Sequence, residues 1–406
     1  MIERGERYAY LDGLRGIAAL MVVISHLVML FWPYAVAPEI YLTQATPLQT
    51  YLAFSPLSLI WDNRLAVPIF FVLSGYVLTA SVVGATRPLT FPALVAKRYL
   101  RLALPVLATS VLALILIPAG FYFSPDVAMV TGSTWLANTL SPDFTPSLSA
   151  WLGQSLWSTF VDFDISYFNP ALWTMHYEFE GSLLCYALCT LLRHARWRVC
   201  VEAVLLVICG LWLRSVPLHL FMAGALLYEL PRIFPRRLSP SAGNAAGLAL
   251  ILVGLLLPRI LSLIPGFVSW PFLLRYGLSD LLPFWRGNRF STEAVLAVAG
   301  VCLSPWLRHL LSRPVFRFLG AISFPLYLTH LPIVFSAGCF TFLYLAGSLD
   351  QLPAALITVV FGLAFALGVA TLAFRLVERP GLQISRNAGA WADRLWRSHI
   401  RPRTAI

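Results

Sequence analysis

The chain contains 406 residues, of which 59% are hydrophobic and 12% are charged, and its mean hydropathy is +0.78. Such values lie far outside the range of soluble globular domains, so a water-soluble protein is excluded. The net charge of +11 is spread over short segments instead of forming one basic patch beside stacking aromatic residues, which argues against a nucleic-acid partner.

Apolar stretches long enough to cross a bilayer recur along nearly the whole chain. They predict an all-α polytopic membrane protein with about ten transmembrane helices, in which one membrane domain (residues 1–380) precedes a basic cytoplasmic tail (residues 381–406). The predicted spans are residues 10–31, 65–83, 102–123, 171–192, 199–213, 216–230, 243–264, 293–307, 319–345 and 353–376.

The distribution of basic residues predicts the orientation. With ten spans and a cytoplasmic amino terminus, 21 of the 29 Lys and Arg residues fall on the inner side, as cytoplasmic loops require. The long outer loop, residues 124–170, contains four Asp and no Lys or Arg. We therefore expect both termini in the cytoplasm and a multi-pass protein of the cell membrane.

Three other segments receive a separate interpretation. Residues 267–285 are apolar but contain two prolines, Arg275 and Asp280, and an eleventh span would move the basic carboxyl terminus outside. We predict an interfacial or re-entrant segment there. The first apolar segment is not expected to be a cleaved signal, and the Trp and Arg residues of the tail predict an anchor at the anionic inner membrane surface.

The six cysteines lie within or at the ends of apolar spans, without a Cys-x-x-Cys pair or a His cluster at metal-ligand spacing. They are interpreted as small core residues, and neither a metal site nor a reactive thiol is expected. The sequence also lacks a phosphate-binding loop or dinucleotide fingerprint in a suitable context.

The first span carries Asp12, Arg15 and His26. At about 100° per residue these side chains project from one stripe, with Arg15 and His26 roughly 16 Å apart along the axis. Ionisable groups at membrane depth are costly and usually functional. The stripe suits a long, thin ligand that is anionic at its cytoplasmic end, whereas the alternative is a charged helix end plus one buried polar residue.

The second and third spans add two small constellations. Ser74 and Gly75 lie in the middle of the second span, where a small pair admits either a neighbouring helix or a ligand. Arg98 and Arg101 open the third span, and their i, i+3 spacing puts both guanidiniums on one face, where they can bind phosphates. Ordinary positive-inside anchoring is the alternative for the arginines.

Three later residues complete the polar set. Glu178 lies in the first turns of the fourth span, at a depth where it can meet His26, although an acidic residue there also complements a helix amino terminus. His330 falls near mid-membrane, and its alternative is a hydrogen bond to a carbonyl freed by Pro332. Glu378, near the cytoplasmic surface, is expected to form a structural salt bridge with Arg15, Arg98 or Arg101.

Six motifs together resemble the acyltransferase family 3 membrane proteins, and they cover nearly the whole chain in order. They are Leu11-Asp-Gly-Leu-Arg-Gly16 with His26, Phe70-Phe-Val-Leu-Ser-Gly-Tyr76, Arg98-x-x-Arg101, Leu172-Trp-Thr-Met-x-x-Glu178, Tyr327-Leu-x-His330 and Val377-Glu-x-Pro380. The resemblance implies a ten-helix domain that takes an acyl group, commonly acetyl, from cytoplasmic acyl-CoA to a hydroxyl of a carbohydrate or other acceptor. It also nominates Arg15, His26, Arg98 and Arg101 as essential.

The sequence departs from the usual family pattern in three places. Glu178 is followed by Phe-Glu-Gly-Ser182 instead of the aromatic pair of many bacterial polysaccharide acetylases, so the chain resembles the subgroup shared with fungal homologues. The proline after Arg101 stands at Pro105, and no hydrolase-like domain follows the last span.

These features lead to one catalytic hypothesis. Arg98 and Arg101 hold the coenzyme A phosphates, and the pantetheine arm lies along the stripe from Arg15 to His26. Ser74 and Gly75 are also assigned to donor binding. His26, polarised by Glu178 and joined by His330, acts as a general base or is transiently acylated. Asp12 and Glu378 are assigned pairing roles, and membrane lipids are the expected surroundings. The rival is a transporter or channel that uses the same intramembrane charges.

Overall fold

The computed structural model describes residues 8–38, 40–41, 43, 45–139, 144–162, 168–193, 195, 197–211, 216–233, 238–262 and 289–400. Every regular element in these ranges is helical. The main helices are α1 (Ala9–Met29), α2 (Asn63–Val83), α3 (Phe91–Leu116), α4 (Trp173–Leu191), α5 (Arg198–Leu211), α6 (Val216–Ile233), α7 (Pro240–Ser262), α8 (Arg289–Leu303), α9 (Pro305–Leu311), α10 (Pro314–Ile333), α11 (Cys339–Ala346), α12 (Gln351–Ala373) and α13 (Arg379–Ile400).

Short helical segments occupy the connections: Pro33–Val36, Pro47–Phe54, Pro56–Trp61, Ser124–Thr131, Thr134–Ala137, Leu148–Gly153, Gln154–Ser158 and Pro170–Leu172. Two π-helical turns, Val334–Gly338 and Phe374–Glu378, join α10 to α11 and α12 to α13. The predicted interfacial segment, residues 267–285, lies outside the described residues.

Each of the ten predicted spans overlaps at least one helix of the structure, although the third, residues 102–123, extends past the end of α3 at Leu116. Within the described residues, five helices are long and apolar enough to cross a membrane: α1, α2, α3, Pro314–Ala346 and Gln351–His399. A sixth is formed if Thr292–Leu303 and Pro305–Leu311, which meet at 95°, count as one broken span. The all-helical polytopic membrane fold is confirmed at this level, whereas ten crossings and cytoplasmic termini stay predictions.

Glycines set the closest helix crossings. An added Cβ at Gly16 of α1 would lie 2.5 Å from the backbone nitrogen of Gly320 in α10. An added Cβ at Gly75 of α2 would lie 2.0 Å from the carbonyl oxygen of Phe221 in α6, and one at Gly224 of α6 would lie 2.0 Å from the carbonyl oxygen of Val72. Small residues of this kind allow backbones to approach closely in a membrane, where van der Waals contact drives helix association.

The last two helices form one continuous rod. The helix from Gln351 to His399 passes through the π-helical turn at Phe374–Glu378, and α13 then packs along α3. Gly381 faces Leu104, Gly389 faces Lys97, and the backbone N–H of Thr90 donates to Oδ1 of Asp393 at 2.8 Å. This order shows that α13 runs antiparallel to α3, and the predicted domain boundary at residue 380 lies inside the rod.

Candidate active site

Two cavities adjoin in the helix bundle. The first has a cavity volume of about 70 Å³ and lies near the first half of α1. It is lined by Arg15, Val67, Phe70, Phe71, Ser74, Arg98, Arg101, Leu102, Thr174, Met175, Glu178, Phe324 and Tyr327. Four predicted donor-binding residues, Arg15, Ser74, Arg98 and Arg101, therefore meet in one place together with Glu178.

Glu178 is the centre of the hydrogen bonding in this first cavity. Its carboxylate accepts from the Ser74 hydroxyl at 2.7 Å and 3.1 Å and from Nη2 of Arg98 at 2.5 Å. Nε of Arg98 donates to Oγ of Ser182 at 2.8 Å, and that hydroxyl donates to the Glu178 carbonyl. Three helices are thus held by one charge-assisted network, which is stronger than bonds between neutral groups.

The predicted pairing of Glu178 with His26 is wrong. The carboxylate is bonded to Ser74 and Arg98, and the imidazole of His26 is bonded elsewhere. The two residues line different cavities. Glu178 therefore positions the guanidinium of Arg98 in the first cavity.

The predicted Glu378 salt bridge is confirmed for one of its three candidate partners. Nη2 of Arg101 lies 4.0 Å from Oε1 of Glu378, which stands in the π-helical turn before α13. The charge of Arg15 also acts on this carboxylate. Glu378 offsets part of the positive charge at the mouth of the first cavity.

Two other predicted residues have packing contacts in the structure. The neighbour that Gly75 admits is the backbone of α6, so the helix-packing alternative describes its observed contact. Asp12 is exposed, and its carbonyl oxygen would lie 2.3 Å from an added Cβ at Gly320. Both residues help to set helix crossings that position Ser74 and Arg15.

The second cavity is lined by His26 and is much larger, with a volume of about 870 Å³. Its lining comes from the second half of α1, the first half of α2, the connection that precedes α4, the starts of α4 and α6, and the second half of α10. Among the lining residues are Val22, His26, Arg64, Trp135, Asn138, Trp173, Tyr177, Leu331 and Phe335. The Trp135 ring lies 5.6 Å from the ring of His26, centroid to centroid.

His26 and His330 form a pair. Nδ1 of His26 lies 2.9 Å from the carbonyl oxygen of Val22 and 3.2 Å from Nε2 of His330. Nδ1 of His330 lies 2.6 Å from the carbonyl oxygen of Tyr327. A carbonyl only accepts, so in the neutral rings both Nδ1 atoms carry the proton. Nε2 of His26 consequently keeps a lone pair that is available to a reactant.

The carbonyl group freed by Pro332 is bonded to Asn169. The alternative interpretation of His330, in which its imidazole bonds that carbonyl, is therefore wrong. Pro332 has no N–H, so the carbonyl of Leu328 loses its helical donor. Nδ2 of Asn169 donates to that oxygen at 2.6 Å, while Oδ1 of Asn169 accepts from the N–H of Ala171 at 3.1 Å. The buried Asn169 thus braces α10 beside His330.

Three side chains line both cavities: Val67 and Phe71 of α2 and Tyr327 of α10. The hydroxyl of Tyr327 donates to the carbonyl of Ala171 at 3.1 Å and bonds the Thr174 hydroxyl at 3.0 Å. We call these three residues the dividing wall. It separates the cavity with the arginines from the cavity with His26.

Several of these residues were absent from the sequence-based site prediction. Ser182, Thr174, Trp135 and Asn169 gave weak signals, because each is a common residue in a helix or loop. The best signal was Asn169 before Pro170, since Asn preceding a proline is typical of a helix start. The bond to Leu328, 159 residues away, has no local signature.

The described residues contain no group of three or more His, Cys, Asp or Glu side chains arranged to hold a metal ion. All six cysteines are free thiols, and Cys185, Cys189, Cys209 and Cys339 are buried. A separate buried charge cluster joins α5 and α6, where Arg198 pairs with Glu229 at 2.6 Å and with Glu202 at 3.6 Å.

Comparison with known proteins agrees with this arrangement. A family model described as an acyltransferase domain, that of acyltransferase family 3, matches residues 8–374. No curated protein and no solved structure matches the chain. The matched range contains the lining residues of both cavities and the first five motifs, and it ends at Phe374, the first residue of the π-helical turn before α13. The chain belongs to acyltransferase family 3 and is a membrane acyltransferase.

Proposed function

We propose that the protein transfers an acetyl group from cytoplasmic acetyl-CoA to a hydroxyl of a carbohydrate, glycolipid or other small acceptor on the far side of the cell membrane. The observation that carries this proposal is the pair of adjoining cavities, one lined by arginines and the other by His26. Arginine suits the phosphates of the donor, and a histidine with a free lone pair suits a hydroxyl acceptor.

The donor fits the direction of α1. Its phosphates would lie near Arg15 and Arg101, and its long pantetheine arm would follow the stripe toward His26, roughly 16 Å along the helix axis. The thioester would then have to pass the dividing wall. Arg98 supports this arrangement indirectly, because its bonds to Glu178 and Ser182 fix it at the cavity edge.

The two histidines can provide the proton transfers that acyl transfer requires. Nε2 of His26 takes the proton of the acceptor hydroxyl while the hydroxyl oxygen attacks the thioester carbonyl carbon. The C–S bond then breaks, and the proton passes from Nε2 to the sulfur of the departing coenzyme A. His330 is the positioning residue, since its Nε2 lone pair faces Nδ1–H of His26 and stabilises the positive imidazolium.

A second route uses the same nitrogen. Nε2 of His26 attacks the thioester carbon itself, the C–S bond breaks, and coenzyme A leaves as the thiolate. The acceptor oxygen then attacks the acyl carbon, the C–N bond breaks, and the hydroxyl proton passes through the released Nε2 to the thiolate. Exchange of radiolabelled coenzyme A into acetyl-CoA in the absence of acceptor distinguishes the routes. Exchange that requires His26 supports the covalent route, and its absence in protein that is active with acceptor supports the direct one.

The test of the proposed function uses membranes that contain the wild type, His26→Ala or His309→Ala, supplied with radiolabelled acetyl-CoA. His309 is exposed on α9 and serves as the matched control. We expect label in one lipid or glycan fraction with the wild type and the control, and a loss of about 10²- to 10⁴-fold with His26→Ala.

Two results would contradict the proposal. Full transfer by a folded His26→Ala protein would show that His26 is not a catalytic residue. Failure of the purified wild type to bind acetyl-CoA, together with no label in any fraction, would show that acetyl-CoA is not the donor.

A further inference from the structure

A strip of positive charge continues from the first cavity onto α13, beyond the residues that match the family. Lys97 lies one turn before Arg101 on α3, so both side chains share a face. The charges of Arg101, Arg386 and Arg98 all act on Lys97. Arg386 belongs to α13 and follows the matched range 8–374.

The register of α13 against α3 explains why Arg386 reaches this place. Gly381 faces Leu104 and Gly389 faces Lys97, where an added Cβ would lie 2.9 Å from the Lys97 Cβ. Arg386 stands between these two glycines in the sequence. The absence of a side chain at Gly389 therefore lets α13 approach α3 closely enough to bring Arg386 beside Lys97.

The charges in this region do not balance. Five cations gather here: Arg15, Lys97, Arg98, Arg101 and Arg386. Two carboxylates accompany them, with Glu178 paired to Arg98 and Glu378 paired to Arg101. Within the described part of the chain, Lys97 and Arg386 form no ion pair with a carboxylate. Like charges held together without counter-ions favour an anionic ligand.

We propose that Lys97 and Arg386 bind the 3′-phosphate of acetyl-CoA, so that the carboxyl-terminal helix completes the donor site. This inference rests on the proposed function. The 3′-phosphate is at the end of the donor opposite the thioester. Lys97 precedes Arg101 on α3 by four residues, or about 6 Å along the helix axis, and so lies further from the dividing wall than Arg101 does. A phosphate monoester carries roughly −1.5 to −2 charges near neutral pH, which matches two cations.

The experiment compares acetyl-CoA with 3′-dephospho-acetyl-CoA for the purified wild type, Lys97→Gln, Arg386→Gln and Arg394→Gln. Arg394 is the matched control, because it lies on the same helix about 140° around from Gly389 and removes the same charge. The readouts are equilibrium binding of each radiolabelled donor and KM and kcat for transfer.

We expect the wild type and Arg394→Gln to bind the dephosphorylated donor about tenfold more weakly than acetyl-CoA. In Lys97→Gln and Arg386→Gln, the affinity for acetyl-CoA should fall about tenfold and the difference between the donors should disappear. kcat should change little, because neither residue touches the thioester. Retained thermal unfolding temperatures would establish that the variants are folded.

The inference and the proposed function fail in different ways. If the wild type binds acetyl-CoA but both variants keep its preference over the dephosphorylated donor, the 3′-phosphate site is overturned and the function stands. If the wild type binds neither donor, the proposed function itself is overturned.

Discussion

At the level of single residues, Glu178 of α4 accepts bonds from Ser74 of α2 and Arg98 of α3. The side chains of Arg98 and Glu178 are only 12% and 11% exposed. Removing one partner of such a pair leaves the other charge without compensation, which is more costly than losing a surface ion pair. Two positions further along α4, Glu180 is 43% exposed and pairs with His176.

We therefore expect Glu178→Ala to lower the free energy of unfolding by about 3 kcal/mol and Ser74→Ala by about 1 kcal/mol. Glu180→Ala, the matched control, should change it by less than about 0.5 kcal/mol. Denaturant unfolding of detergent-solubilised protein measures all three. Equal losses at Glu178 and Glu180 would show that the buried network does not stabilise the fold.

His330 offers a test of positioning. His330→Leu removes the acceptor that faces Nδ1–H of His26, and we expect transfer to fall about tenfold, less than the 10²- to 10⁴-fold expected for loss of the base. His330→Gln keeps an oxygen acceptor there and should recover part of the rate. Similar rates for the Leu and Gln variants would assign His330 a packing role only. The KM for acetyl-CoA should be unchanged in both variants.

Most of the polar residues that line the first cavity could be predicted from the sequence, but the hydrogen-bond partners of Glu178 could not. Arg15, Ser74, Arg98 and Arg101 were expected near one ligand, and they line one cavity. Glu178 was assigned to His26 because helix rise gives depth alone. The helix that Glu178 faces depends on the rotation of α4 about its own axis and on the angles at which α4 crosses its neighbours. No local sequence pattern determines either quantity.

At the level of helices, the crossing of α1 and α10 depends on Gly16 and Gly320. Their missing side chains allow backbone contact, and this contact sets the relation of α1, with Arg15 and His26, to α10, with Tyr327 and His330. Gly16 of the first motif is therefore explained by helix packing. The close approach that it allows fixes the relative positions of the α1 and α10 residues in both cavities.

Gly16→Ala should lower the free energy of unfolding by about 1 to 3 kcal/mol, because its Cβ would meet the backbone of Gly320 and Leu319. Gly368→Ala on α12 is the control, since an added Cβ there meets nothing within 4 Å. We expect that change to be neutral or stabilising by about 0.5 to 1 kcal/mol. Thermal and denaturant unfolding of both variants measure the difference, and equal destabilisation would contradict the role of the crossing.

The helices themselves were readily predicted, because runs of apolar residues identify them directly. The continuity of the last rod was harder to foresee. Hydropathy falls after residue 378, and Pro380 is typical of a helix boundary. Pro380 is instead the second residue of α13, directly after a π-helical turn, and a missing N–H is tolerated at a helix start.

At the level of the whole molecule, the dividing wall stands between the two cavities, and the proposed function requires the thioester to pass it. Val67 is the smallest of its three residues, so Val67→Trp should narrow the passage. We expect transfer to the acceptor to fall at least about tenfold while acetyl-CoA binding stays within about twofold, because a bulky residue at the wall blocks the thioester but leaves the phosphate site intact.

Val204→Trp is the control, since Val204 is 55% exposed on α5. It should leave transfer and binding unchanged. Equal transfer by Val67→Trp and the wild type would show that the thioester does not cross between Val67, Phe71 and Tyr327.

The same wall has an electrical consequence. Val67, Phe71 and Tyr327 line both cavities, which in the proposed orientation would face water on opposite sides of the membrane. A bare ion leaving water for such uncharged surroundings loses its hydration at a large cost in free energy. In that orientation these three side chains would act as an insulator only a few atoms thick, across which an acyl group would change compartments while the membrane keeps its voltage.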